Sequence, residues 1–213
     1  MVEPARHLIG VVIGAACAFG AMGAGAQALL ASGSCRDGAP HGAYELRSPD
    51  GRLRIGGAFN RGKRTSSFIF WTRAGVRIAH IPYDEDLKSG TLSLWYADAR
   101  PGRDPQQKLE AGYAAGQLNG DKRSWYGDGR PRAFYRYENG ALVEAQAWTG
   151  TGTPLPPAAV RAMALRDLAN DERYYASLDA IVRDHLPACE PAPAVPHSAG
   201  TATRDASVAL DRR

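Results

Sequence analysis

A few stretches of the chain carry residue types that can do chemistry, and none holds the full set its chemistry needs. Gly57–Arg64, GAFNRGKR, has the G-x-x-x-x-G-K spacing of a loop that cradles phosphates. Arg64 stands where a Ser or Thr would hold magnesium, and the TSSFIFW that follows reads as strand rather than helix. Asp84, Glu85 and Asp86 put three acids together at a turn, the usual place for solvated charge, with calcium binding the minor reading. His41, His80, His185 and His197 are widely spaced, without an H-x-x-x-H or C-x-x-C pair to chelate a metal. No serine lies in a nucleophile elbow. The sequence therefore points to no catalytic residue, no cofactor and no metal, and the expected class is not an enzyme.

Charge narrows the partners. The chain has 213 residues, a formal net charge of +4 and a pI near 9.1. Acids are interspersed with the bases throughout, so the clustered charge of a nucleic-acid binder is absent. Attraction to an acidic protein or an anionic lipid surface is the most this balance supports. The residues that would form such a face are Arg52, Arg54, Arg73, Arg77, Arg130, Arg132 and Arg136, which recur near turns and along strands. A solvated outer face is the competing reading of the same residues.

What must position them is a repeat. Trp71, Trp95, Trp125 and Trp148 are separated by 24, 30 and 23 residues. Phe59, Tyr83, Tyr113 and Tyr137 form a second column separated by 24, 30 and 24. Three residues beyond each of these stand Gly62, Asp86, Gly116 and Gly140. Four residues beyond each tryptophan stand Gly75, Ala99, Gly129 and Gly152, with Gly51 as an earlier member. Matching offsets in independent columns identify a repeat architecture. RSWYGDG and AFYRYENG read as two short strands ending in Asp-Gly and Asn-Gly turns, so each unit is one β-hairpin. A lone hairpin is marginal in water, and the units must share a buried face. Both aromatic columns are assigned to that core, with a ligand-stacking platform as the alternative. Strand alternation places Ala133, Tyr135 and Tyr137 on one side, and Arg132, Phe134 and Arg136 on the other. The stretch Ala99–Gln107 adds six residues to the period and reads as a tolerated insertion.

The stretch GDKRSWYGDGRPRAFYRYENG resembles the bacterial MORN-variant repeat, also found in the YwqK-like antitoxin family. Gly120, Trp125, Tyr126, Asp128 and Gly129 match the first half of that pattern, and Tyr137, Asn139 and Gly140 the second. Lys122 stands where the pattern's first aromatic would be. The resemblance covers about residues 42–152 and implies an extended, non-catalytic β-sheet that binds a protein or a lipid, or an antitoxin that neutralises a partner toxin.

The chain ends differ in texture from the repeats. Arg6 and His7 precede the apolar run LIGVVIGAACAFGAMGAGA, and Ala26-Gln27-Ala28 offers small residues to a signal peptidase, so residues 1–28 read as a signal peptide cut between Ala28 and Leu29. A membrane anchor and a lipoprotein are the minor alternatives. Residues 29–41 are a lead-in, 42–153 the MORN-like repeats and 154–189 a helical cap. Val160, Met163, Ala164 and Leu168 form one helical stripe; Tyr174, Leu178, Ile181 and Leu186 form a second after Asn170/Asp171. Two helices, or one broken near Ala169, are expected. Residues 190–213, rich in Pro, Ala and Thr, read as a disordered tail.

The expected fold is mainly β, an open antiparallel meander capped by one or two C-terminal α-helices. Cys17 leaves with the leader, and an exported chain with two remaining cysteines favours a disulfide, Cys35–Cys189. That bond requires the helical segment to fold back along the sheet to its first strand. The expected function is an exported, periplasmic or extracellular binding or scaffold module. An antitoxin or immunity protein is the first alternative, and an envelope enzyme with an unrecognised site the second.

Overall fold

The computed structural model describes residues 28–98 and 104–190. Most of the leader, part of the Ala99–Gln107 insertion, His197 and nearly all of the tail lie outside those residues. Eleven strands form one antiparallel sheet: β1 (Leu30–Arg36), β2 (Ala39–Arg47), β3 (Leu53–Asn60), β4 (Lys63–Trp71), β5 (Arg77–Asp84), β6 (Leu87–Lys88), β7 (Gly90–Trp95), β8 (Gln107–Ala114), β9 (Gln117–Trp125), β10 (Pro131–Glu138) and β11 (Ala141–Ala147). Neighbours in space are neighbours in sequence, an open meander with the two-residue β6 beside β5. The sheet starts earlier than residue 42, because β1 and the first part of β2 pair within the lead-in.

The two turn motifs are of different kinds. At Asn139-Gly140 both residues are left-handed, φ 49° and 80°, the backbone of a two-residue hairpin whose twist suits its strands. At the other end only the glycine is left-handed. Gly129 has φ 87°, its amide donates to the Tyr126 carbonyl at 2.9 Å, and Tyr126 N–H donates to Arg130 O, a type I turn closed by a bulge. Gly152 repeats that geometry at φ 86°, so the last hairpin runs on to a bridge between Trp148 and Pro154. Within the strands a further left-handed residue recurs at Gly42, Ser66, Gly90 and Gly120. At Ser66 and Gly120 it coincides with a shift of register between strands.

One face of the sheet carries the core. Tyr44, Phe59, Phe68 and Tyr83 pack edge to face or tilted along β2–β5, and Gly57 is bare because a Cβ there would lie 2.7 Å from the Phe68 ring. Over this face lies α1 (Pro157–Asp184). The expected break at Ala169 is absent. No Gly or Pro interrupts the segment, and Asp171 faces Lys122 instead of capping a second helix. The buried stripe is Val160, Met163, Ala164, Asp167, Tyr175, Leu178 and Val182, while Ile181 and Leu186 of the expected stripe are exposed. At about 1.5 Å per residue the 28 residues of α1 span about 42 Å. Nine interstrand steps of about 4.8 Å span about 43 Å, so the helix matches the sheet's width.

Polar contacts show that α1 runs back across the strands. Asp167 meets Arg132 and Tyr135 on β10, Asp171 meets Lys122 on β9, and Asp179 meets Arg64 and Tyr83 on β4 and β5. Past the helix, the His185 carbonyl accepts from Tyr44 on β2, and Cys189 is bonded to Cys35 on β1, Cα–Cα 5.6 Å. The disulfide and the fold-back it requires are both present, and such a bond belongs to a non-reducing environment. No helix of the described residues is long and apolar enough to cross a membrane.

Candidate functional site on the uncovered sheet face

The two aromatic columns part company in three dimensions. Phe59, Tyr83, Tyr113 and Tyr137 are buried beneath α1. Trp71, Trp95, Trp125 and Trp148 are only half-buried and stand outside the core cluster. Assigning the tryptophans to the core is therefore corrected. Trp71 follows the buried Phe70 and Trp95 follows the buried Leu94, so alternation turns both indoles to the face opposite the helix. Trp71 lies over Gly56, whose Cβ would sit 3.7 Å from the ring.

The indoles form a row. Trp71, Trp95 and Trp125 lie at the ends of β4, β7 and β9, and Trp148 just follows β11, so one stands on every second strand of the path. Alternate strands are about 9.6 Å apart and the row is about 29 Å long. Between the indoles, directly paired with them, come Arg77, Gln107 and Pro131. The Arg77 guanidinium stacks on Trp95 at 4.0 Å from the ring centroid. Gln107 Nε2 donates to Glu110 Oε2 at 3.1 Å, which puts a carboxylate beside the row. Two tyrosines hold the row's backbone: Tyr96 donates to the Trp125 carbonyl and Tyr126 to the Trp148 carbonyl, each at 2.8 Å.

Of the expected basic face, Arg132 alone is corrected, and the other arginines are engaged within the chain. Arg52, Arg130 and Arg136 are paired with Asp50, Asp128, and Asp121 with Glu144. Arg54 donates to the Trp71 carbonyl, Arg77 is stacked, and the Arg73 carbonyl accepts from Arg52. Arg132 is on the helix side, not beside Phe134 and Arg136. The register shifts between Pro131 and Ala133, which makes Arg132 the extra residue of a bulge and re-aims it at Asp167 in two bonds of 2.8 Å. Lys108 holds the matching bulge position in β8 and faces Tyr96 and Tyr174.

Beneath the helix a polar cluster went unread in the sequence. Lys122 is 1% exposed, and its Nζ lies 2.6 Å from Asp171 Oδ2, an ion pair without hydrogen-bond geometry. Burial holds the Asp171 carboxyl above its usual range, against the pull of Lys122. With Lys108, Ser124, Arg132 and Asp167 the pair lines a cleft of about 230 Å³. The signal was the lysine in an aromatic position: counted by repeats, Lys122 takes the place of Tyr44, Phe68 and Leu92. Lys122 is matched by Asp171 and Arg132 by Asp167, while Lys108 lies over the Tyr96 and Tyr174 rings, so the cluster docks the helix. Burial pushes the Tyr44 phenol up to about 12 and those of Tyr83, Tyr113, Tyr135 and Tyr175 higher still, so they stay neutral, and Tyr44, Tyr83 and Tyr135 donate to His185 O, Asp179 and Asp167.

Gly57–Arg64 is the β3–β4 hairpin, where Arg64 binds Asp86 and Asp179, and the turn acids Glu85 and Asp86 are paired with Lys63 and Arg64. Among the described residues no three His, Cys, Asp or Glu side chains converge as a metal site. No family model matches the chain, and no curated protein matches it.

Proposed function

We propose that the chain is an exported, non-catalytic binding module whose ligand meets the tryptophan-bearing face of the sheet. One observation carries the reading: the helix, its ion pairs and the Cys35–Cys189 bond close one face, while a half-buried tryptophan recurs on every second strand, with Trp71 and Trp95 turned by alternation to the open face. Large aromatics held partly exposed on a rigid scaffold are common binding anchors. The MORN-like resemblance supports a sheet used for binding, and the disulfide supports work outside a reducing compartment. Ion pairing of Arg52, Arg130, Arg132 and Arg136 weighs against an anionic lipid surface as the ligand.

The test has two arms. Mass spectrometry of the envelope-fraction protein should find a chain starting at Leu29; a full-length cytosolic chain would overturn export. Trp95→Ala/Trp125→Ala should fold with its disulfide yet lose co-sedimentation with the envelope component that retains the native protein. Retention unchanged in that variant would move the binding surface off this face.

A further inference from the structure

We infer that the ligand of the tryptophan row is an extended β-1,4-linked glycan chain. The inference rests on the binding-face reading above and names its ligand class. The spacing carries it. In a β-1,4-linked chain each sugar is turned over relative to the last, so the same ring face returns at every second residue. That two-sugar repeat is close to the separation of alternate strands, about 9.6 Å. One indole on every second strand thus meets one ring face per disaccharide, and four indoles span about seven sugars.

The chemistry of the row agrees. An all-equatorial β-linked pyranose presents axial C–H bonds on a flat face, which the electron-rich face of an indole attracts. Its hydroxyls point outward in the ring plane and need planar donors and acceptors at the side. Gln107 and Glu110 stand there beside the indoles, with the Arg77 guanidinium against one face of Trp95. The row carries Arg54 at Trp71, Arg77 at Trp95 and the Glu110 carboxylate, a sparse and mixed charge that suits a neutral sugar better than a polyanion. Strands twist by about 20–25° per step, so successive indoles turn relative to one another. A single twisting chain can follow them; the flat face of a crystalline polymer cannot.

The test is titration of the disulfide-intact protein with β-1,4-linked N-acetylglucosamine and glucose oligomers, read by tryptophan fluorescence and calorimetry. The α-1,4-linked glucose hexamer and phosphatidylglycerol vesicles are the comparison ligands. Hexamers of at least one β-linked series should bind, about tenfold or more tighter than dimers, because a longer chain engages further platforms. Trp95→Ala and Trp125→Ala should each weaken hexamer binding about tenfold while leaving the circular dichroism spectrum and the disulfide intact. Absence of binding to both β-linked hexamers, or equal binding of the α-linked hexamer, overturns the glycan. Tryptophan-dependent binding of the vesicles instead also overturns the glycan but leaves the binding face standing. Hexamer binding that neither substitution weakens overturns both.

Discussion

Lys122→Met tests the docking of the helix where it is most exposed to failure. The substitution keeps the buried stem and removes the charge facing Asp171. Breaking a buried pair from one side costs about 3–5 kcal/mol, because the remaining charge is stranded. Proton uptake sets a ceiling on that loss. With an unfolded value of 3.8, protonating Asp171 at pH 7 costs about 4 kcal/mol, and at pH 5 about 1.6 kcal/mol, at 1.36 kcal/mol per pH unit. Burial already raises this carboxyl, and without Lys122 it rises further, with Asp167 raising it and Lys108 opposing. A carboxyl whose folded value is raised contributes most below the unfolded value and loses that contribution as pH climbs through the folded one. The variant should therefore lose about 3–4 kcal/mol at pH 7 and about 1–2 kcal/mol at pH 5. Urea unfolding at both pH values, with the disulfide intact, reads the difference from the native protein. Other titrating groups cancel in that difference. A loss under about 1 kcal/mol at pH 7, or the same loss at both pH values, would mean that water reaches the pair and that it does not hold α1. Adding Asp171→Leu should restore most of the stability.

Four further outcomes follow from the geometry. Ser66→Gly should stabilise by about 0.5–1 kcal/mol in thermal melts, since Ser66 sits at φ 60° where neighbouring repeats use glycine. Cys189→Ser should lower stability by about 2–5 kcal/mol by guanidinium titration, as the bond spans 154 residues of sequence; an unchanged midpoint would show that the clamp adds nothing. Trp125→Ala should cost about 1–2 kcal/mol in the same titration, below the 3–5 of a fully buried tryptophan, because the indole is half-buried. Gly140→Val and Gly152→Val should each lower the melting stability by about 1–2 kcal/mol, both glycines being left-handed; a loss at Gly140 alone would mean the last hairpin is not formed.

The sheet was legible because its signals are local and repeated. Asn139-Gly140 and Tyr126–Arg130 specify turns within a few residues, and the period carries each unit to the next. Which face a residue takes was not legible. Phe59 and Trp71 are separated by 12 residues, an even spacing that would share a face on an unbroken strand. The two-residue turn at Arg61-Gly62 pairs Phe59 with Arg64 across an odd spacing and so reverses that parity, leaving Phe59 inside and Trp71 outside. The irregularity at Ser66 leaves it unchanged, since Arg64, Phe68 and Phe70 all face inward. Arg132 was misplaced as an extra residue in a bulge that composition does not mark. Repeat columns fix neighbours firmly, but they fix faces only once every turn and bulge between two columns is counted.

The helix shows the complementary failure. Its apolar residues suggested two stripes broken at Asn170/Asp171, because acids on an amphipathic helix are ordinarily assigned to solvent. Here Asp167, Asp171 and Asp179 face the sheet, each opposite a cation or a phenol that the strands supply. No window of the helix sequence contains those partners, which lie 35 to 115 residues away for the Arg132–Asp167 and Arg64–Asp179 contacts. The disulfide is the part of this arrangement that could be read, since Cys35 and Cys189 flank the sheet and the helix. Its span also decides between one helix and two. A break at Ala169 would turn the chain partway across a sheet of about 43 Å, leaving Cys189 short of β1. Only an unbroken helix of about 42 Å carries Asp167 to β10 and Cys189 to Cys35 at once. The length of α1 and the number of strands are thus one constraint.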